Sequence, residues 1–305
     1  MSPRIALVTS RDMIEPDVDE ELLLPLMPGS ELVAWEDPSV DWASYDAAIV
    51  RSTWNYTDRL EDFLAWAARV DAVTLLVNPL SVIRWNTDKR YLADLENLGF
   101  AVVPTIYVAP GDEVPDDALA GRIVVKPTVG AGSKGAILIR DDAGAALRHV
   151  SSLHAAGKVA MIQPYLDKVD SAGETALVYV NGKFSHAARK APILSRSMAW
   201  STGLYADEEI MAATATAAER ALADAVVTAL PSLVEGGRAI AYARVDLLPT
   251  STGPVVLELE LTEPSLFLTV DAAAPARAAV AFMAYVASRR PNSTSDTVTL
   301  SEENP

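Results

Sequence analysis

The chain has 305 residues, half of them hydrophobic, with 41 acidic against 25 basic side chains, a formal charge of −16 and no cysteine. That length argues for roughly two domains and ample material for a core. The acidic balance argues against a duplex nucleic-acid partner, whose phosphates must be met by Lys and Arg, and without cysteine there are no disulfides, zinc thiolates or thiol nucleophiles.

The amino terminus, MSPRIALVTS, runs straight into a strand-like run and lacks the apolar core and cleavage site of a signal peptide. The most apolar long stretch, Ala272–Ser288, is interrupted by Pro275 and Arg277, so no membrane span is expected. The expectation is a cytoplasmic protein. Ile5–Thr9, Leu32–Trp35, Ala47–Arg51 and Leu75–Val77 read as short buried strands, with helices over Val18–Leu26 and Arg59–Val70. This alternation predicts a small α/β layer with a parallel sheet. Ligands of such sheets lie beyond the carboxyl ends of the strands. Two segments stand there, Thr9-Ser10-Arg11-Asp12 and Arg51-Ser52-Thr53-Trp54-Asn55-Tyr56. A cation closing a buried strand needs an anion. For Arg51 that anion is either a substrate or a structural partner such as Asp46.

Arg84–Leu98 carries Tyr91, Leu92, Leu95 and Leu98 at helical spacing, with Asn86 or Thr87 as cap and Gly99 as stop. Lys89 falls in its first turn, where the helix dipole disfavours a cation that has no anion to reach. A strand is expected over Val102–Val108. Two further β-rich runs, Ile123–Lys126 and Ala136–Ile139, flank a loop with Gly130, Gly132 and Gly135. The glycines match G-x-G-x-x-G, but a strand follows instead of a helix, and Ala136 stands where a Walker loop requires Lys. What remains is a flexible flap whose amides can cover phosphates. Lys126, ending the buried strand, needs an anion or loses its charge. A helix over Asp141–Gly157 and a strand over Val159–Gln163 lead into MIQPYL, an apolar connector that suits an adenine ring.

Glu174–Val180 and Lys183–Lys190 pair across Asn181-Gly182, a strong type I′ hairpin signal. Arg189 and Lys190 end that hairpin, followed by a loop, Ala191–Leu204, that contains Ser201-Thr202-Gly203. An alanine-rich helix is expected over Glu208–Leu230. Two extended runs, Ala239–Leu248 and Pro254–Leu261, then flank a Thr250-Ser251-Thr252-Gly253 turn. Side chains two apart share a face of a strand, so Arg244 and Asp246 point one way, as do Glu258 and Glu260. If the two polar faces coincide, three carboxylates converge beside one guanidinium. Such carboxylates repel and call for a divalent cation, with oxygen donors suiting Mg²⁺ or Mn²⁺ over zinc. A closing helix covers Ala274–Arg289, and residues 291–305 read as a polar, disordered tail. His149, His154 and His186 lack metal-ligand spacing.

The order of these signals over residues 1–290 resembles the ATP-grasp superfamily, and within it the glutathione-synthetase-like enzymes. The resemblance implies an α/β fold that is α+β in its C-terminal half. Its parts are an N-terminal α/β substrate-side domain (1–85), a central lid (86–165) and a C-terminal domain (166–290), with 291–305 as tail. Carried over by position, Lys89 and Lys126 hold the nucleotide phosphates under the flap, Gly130, Gly132, Ser133 and Gly135. Gln163, Tyr165 and Leu166 form the adenine hinge, and Glu174 binds the ribose hydroxyls. Arg189 stands near the γ-phosphate and the acyl intermediate. Asp246, Glu258 and Glu260 are the magnesium ligands, with Arg244 on the transferring phosphate. One departure is plain, because the family usually has Asn where this chain has Glu260.

More narrowly, RSTWNY, RWNTDKRYL, ARVDLLP and LELELTEPSLF are similar to small ATP-grasp ligases of actinobacterial type, a group that includes the D-cycloserine-forming enzyme. The resemblance implies ATP and Mg²⁺ (or Mn²⁺) as cofactors and an acyl-phosphate route. It also implies a small amino-acid-like substrate, with cyclisation of O-ureido-D-serine as the leading reaction. Arg51, Trp54, Tyr56, Ser201 and Thr202 are the expected substrate contacts. The alternatives are a ligase joining two amino acids and a nucleotide-binding protein without chemistry, and the acidic surface leaves a homodimer open.

Overall fold

A computed structural model describes residues 2–13, 15–191 and 209–289. Its first layer contains β1 (Ile5–Thr9), α1 (Val18–Leu23), β2 (Ser30–Ala34), β3 (Ala47–Val50), α2 (Leu60–Asp71) and β4 (Leu75–Val77). The strands run parallel in the order β2-β1-β3-β4. β3 and all of β1 but its last residue are buried, so they read as unbroken apolar runs without alternation. α2 packs Phe63, Trp66, Ala67 and Val70 onto one face of this sheet.

The helix expected over Arg84–Leu98 is two helices, α3 (Leu80–Asn86) and α4 (Tyr91–Asn97). The break has a physical cause. Asn86 turns inward and donates to the carbonyl of Leu259 at 2.7 Å while accepting from Leu261 N at 2.6 Å. The amide of Lys89 donates to Thr128 O at 2.9 Å instead of to a helical carbonyl. Gly99, at φ +85°, ends α4, with Phe100 N bonded back to Leu95 O.

A second sheet is antiparallel, in the order β5-β8-β6-β7. It comprises β5 (Ile106–Val108), β6 (Arg122–Pro127), β7 (Ile137–Arg140) and β8 (Ala160–Pro164), with α5 (Ala143–Ala155) packed on it through Ala146, Val150 and Leu153. The one-turn α6 (Val169–Ala172) leads to the third sheet, which has five antiparallel strands in the order β11-β10-β9-β12-β13. These are β9 (Glu174–Val180), β10 (Lys183–Lys190), β11 (Ile210–Ala213), β12 (Tyr242–Pro249) and β13 (Pro254–Glu260). The helix expected from Glu208 begins later, as α7 (Ala217–Leu233). Thr216 and Glu219 form a capping box that fixes its start, and β11 precedes it. The chain closes with α8 (Ala274–Arg289). Among the described residues no helix is long and apolar enough to cross a membrane.

The first and third sheets share one core. Ile5, Leu7, Ile49 and Val77 from the first meet Val178 and Tyr242 from the third, around Phe282 and Val286 of α8. α4 and α7 cover the opposite face of the third sheet. The seam also has a polar lock. Asn78, wholly buried, donates to the carbonyls of Tyr242 (3.0 Å) and Leu261 (2.7 Å) and accepts from Ala241 N (2.6 Å). Because those backbone groups have no water to turn to, Asn78→Ala should destabilise the fold by about 2–4 kcal/mol, read from the midpoint shift of a denaturant titration.

Candidate active site

The β12–β13 pairing sets Arg244 opposite Glu260 and Asp246 opposite Glu258. The two polar faces do coincide. One oxygen from each of Asp246, Glu258 and Glu260 lies within 4.8 Å of the others. Three hard oxygen donors so close together fit a divalent cation of the Mg²⁺ or Mn²⁺ kind. A bulge between Asp246 and Leu247 then shifts the register, and Leu257 lines the cleft with Leu248.

Four cations from four different elements meet these acids. Arg244 forks onto Asp246 with two bonds of 2.9 Å and also pairs with Glu260. Lys126 of β6 reaches Glu258 at 3.2 Å, and Lys89, from the break between α3 and α4, reaches it at 3.6 Å. Lys190 of β10 bridges Glu174 and Asp246, the latter at 3.1 Å. Burial opposes charge on Asp246, but Arg244 and Lys190 outweigh it and hold the carboxyl far below its ordinary range. For Glu258 burial again works upward, and Lys89 with Lys126 bring the balance down to about 2. Burial prevails at Glu260 and Glu174, both pushed up to about 8 despite Arg244 and Lys190 respectively.

The cluster lies in a cleft of about 580 Å³ between the second and third sheets, open to the first. Gly130, Gly132, Ser133 and Lys134 line one wall, where the β6–β7 loop folds back with Gly132, Ser133 and Gly135 at positive φ. Ser133, at +59°, takes a conformation that disfavours L side chains. Gly135 has no room for a side chain, since an added Cβ would sit 3.2 Å from Pro127. Lys89 Nζ donates to Gly130 O at 2.6 Å, and Lys134 ties the loop tip to Asp58 of the first layer. Gln163, Tyr165 and Leu166 line the far end. The Gln163 amide is engaged with Thr105 (2.9 Å), and the Tyr165 hydroxyl with Asp170.

Two expected residues lie elsewhere. Arg189 points away from the cleft, donating to Ala172 O at 2.9 Å and approaching Glu219 of α7 at 4.0 Å. The cause is a bulge between Phe184 and His186 that shifts the β9–β10 register by one residue. Lys190, not Arg189, therefore faces Glu174. Arg51 is buried, 2% exposed, between Glu20 (3.4 Å) and Asp19 (3.8 Å), and donates to Pro264 O at 2.8 Å. Its partners are acids of α1, and Asp46 instead accepts from Arg4 N. Trp54 and Tyr56 line the cleft as expected. Ser201 and Thr202 lie outside the described residues. The reading from sequence missed Lys190 and Glu263, which both line the cleft. Alternation from Glu174 would point to Lys190 only with the bulge known, and Glu263 sits in a loop where no periodicity operates.

A family profile described as "D-cycloserine synthetase DcsG, N-terminal domain" matches residues 5–78. The chain is 38% identical to the cycloserine biosynthesis protein DcsG of Streptomyces lavendulae over 286 residues, 87% of this chain and 93% of that protein. It superposes on the crystal structure of D-cycloserine synthetase DcsG with a TM-score of 0.79 and 34% identity, covering 92% of this chain and 99% of the other. D-alanine–D-alanine ligase from Bacillus anthracis, complexed with ATP, shares the fold at TM-score 0.66 and 14% identity, over 95% and 99% of the chains.

The register shift within β10 has a direct consequence at Arg189 and Lys190. Lys190→Gln should lower the rate of phosphate release from ATP by about 100-fold or more, as expected for a lost charge contact at transferring phosphate. Arg189→Gln should stay within about threefold of wild type, because substitutions outside the site act weakly.

Proposed function

The chain belongs to the D-cycloserine synthetase family of ATP-grasp carbon–nitrogen ligases, and from that premise we propose that it uses ATP to close O-ureido-D-serine into D-cycloserine. One observation carries the reading. Lys89, Lys126, Lys190 and Arg244 converge on three adjacent carboxylates in one cleft, a surplus of donors for phosphate beside a seat for a divalent ion. In this reading residues 1–85 form the substrate side, 86–165 the lid and 166–290 the metal-bearing part.

Asp246, Glu258 and Glu260 would hold Mg²⁺, which would supply neutralisation of phosphate charge when bound. The protein's own groups do the remainder. Lys89, Lys126 and Lys190 bind phosphate oxygens, and the β6–β7 loop covers them. Gln163, Tyr165 and Leu166 flank the adenine, and Glu174 is available to the ribose once Lys190 turns to phosphate. The substrate carboxylate attacks the γ-phosphorus, ADP leaves, and Arg244 faces the charge that develops on the transferring group. The ureido nitrogen that carries the oxygen then attacks the acyl carbon, phosphate departs, and that nitrogen gives up its proton. Ring closure there leaves a carbamoyl group on that nitrogen. Hydrolysis by water then cleaves the nitrogen–carbamoyl bond, returning a proton to the ring nitrogen and releasing the carbamoyl group as carbamic acid, which breaks down to ammonia and carbon dioxide. No protein nucleophile is required, since positioning and electrostatics carry the chemistry. Lid closure keeps water from the acyl phosphate.

The test is phosphate release with ATP and Mg²⁺ across O-ureido-D-serine and a panel of D- and L-amino acids, with product masses recorded. A cyclised product from O-ureido-D-serine alone is expected; turnover only with paired amino acids makes the protein a peptide ligase. Glu258→Gln should abolish turnover, at least about 1,000-fold, with the melting transition retained. Activity surviving in that variant would move the metal seat elsewhere.

A further inference from the structure

Beyond the phosphate-binding cluster, the cleft holds a buried acid that the mechanism above does not use and that, among the described residues, no cation pairs. Glu263 is 9% exposed and follows β13 in the loop that carries the chain back toward the first sheet. That loop is clamped by the first layer. Trp54 Nε1 donates to the carbonyl of Glu263 at 3.0 Å, Arg51 to that of Pro264 at 2.8 Å, and Asp19 accepts from the amides of Leu266 and Leu268 (2.5 and 2.8 Å). Arg244 Nη1 donates to Ser265 O at 2.9 Å from the other side. With its loop fixed at five points, the Glu263 side chain is presented to the cleft, where Tyr56 acts on it. Among the described residues no cation forms an ion pair with it, in contrast to each acid of the metal cluster. Burial pushes its carboxyl up to about 7, with Tyr56, Lys89 and Arg244 pulling the other way. An acid so placed lacks a cation of its own.

We propose that Glu263 is the specificity-determining residue that receives the α-ammonium group of the amino-acid substrate, with Tyr56 orienting the carboxylate. The assignment rests on the reading of the protein as an amino-acid-activating ligase. Its geometry follows from chemistry: the ammonium is one carbon from the carboxylate to be phosphorylated, so its anion must stand next to the phosphate-end groups. The charges that act on Glu263 are Lys89, Arg244 and Glu258, all at that end. The other acids at the cleft's substrate side are occupied: Asp17 caps α1, and Asp19 accepts from Leu266 N and Leu268 N and pairs with Arg51.

The experiment compares wild type with Glu263→Gln, which keeps the side chain's shape and can still accept from Tyr56. Each is assayed with O-ureido-D-serine and with its des-amino counterpart, 3-(ureidooxy)propanoate. A site built to pair a charged group rejects the analogue lacking it, so wild type should favour the ammonium form by about 100-fold or more in kcat/KM. In Glu263→Gln that preference should fall below about tenfold, through KM for the amino acid, with KM for ATP unchanged. Equal losses on both compounds, with the preference intact, would overturn the proposal and leave Glu263 a structural residue. Product masses from wild type judge the cyclase reading separately. If another amino acid proves to be the substrate, the same ratio taken on it and its des-amino form decides the role of Glu263.

Discussion

The structure is organised around a buried balance of charge. Asp246, Glu258, Glu260 and Glu174 gather at one cleft, and Lys89, Lys126, Lys190 and Arg244 pair with them. Isolated, any of these groups would carry a desolvation cost of several kcal/mol. Paired, they form a network in which each charge has two possible sets of partners. Without ligands the cations answer the carboxylates. With nucleotide and a divalent ion present, the cations can turn to phosphate while the acids turn to the ion, and no charge is stranded on the way.

Each cation arrives from a separate part of the fold. Lys126 belongs to the second sheet, Lys89 to the break before α4, and Lys190 and Arg244 to neighbouring regions of the third sheet. The cluster is thus complete only when the second and third sheets stand in register around the cleft. Further contacts hold the second sheet from the side of the first layer. Asp58 accepts from Lys134 on the glycine loop and from Lys158 near β8, and Lys158 also reaches Thr57 O. These pairs are largely exposed and individually worth little. The seam between the first and third sheets, by contrast, is buried and joined by both apolar packing and the bonds of Asn78.

Much of this was legible where local periodicity and geometry coincide. The two-residue alternation in β12 and β13 placed Arg244, Asp246, Glu258 and Glu260 on one face, and the Asn181-Gly182 turn announced its hairpin, with both residues at positive φ. The failures share a cause. An extra residue in β10 turns Arg189 outward and Lys190 inward, and nothing in the composition around Ser185 marks it. Arg51 was correctly expected to need an anion, but its partners come from α1, about thirty residues earlier, through a packing that sequence does not spell out. The break at Asn86 is likewise tertiary, since its amide is consumed by the backbone of β13 and the residue just after it.

The carboxylate at position 260, where the family usually has Asn, fits the same charge balance. An Asn there would remove the Glu260 carboxylate from Arg244, which would keep its fork on Asp246 and its bond to Ser265 O. Glu260 instead gives Arg244 a second anion, so the arginine is held between two acids and over the ring of Phe267, at 4.8 Å. Burial nevertheless favours the uncharged form of Glu260 more than that of Asp246 or Glu258. The added acid is therefore the one least committed to charge before ligands arrive and the one whose ionisation a bound cation would most strengthen. Its position opposite Arg244 couples the metal seat to the loop that carries Glu263, because Arg244 bonds that loop at Ser265. In the proposed reading, metal, transferring phosphate and the substrate's own charged group would be read by side chains that touch one another in sequence: Glu260, Arg244, then the segment from Glu263 to Phe267.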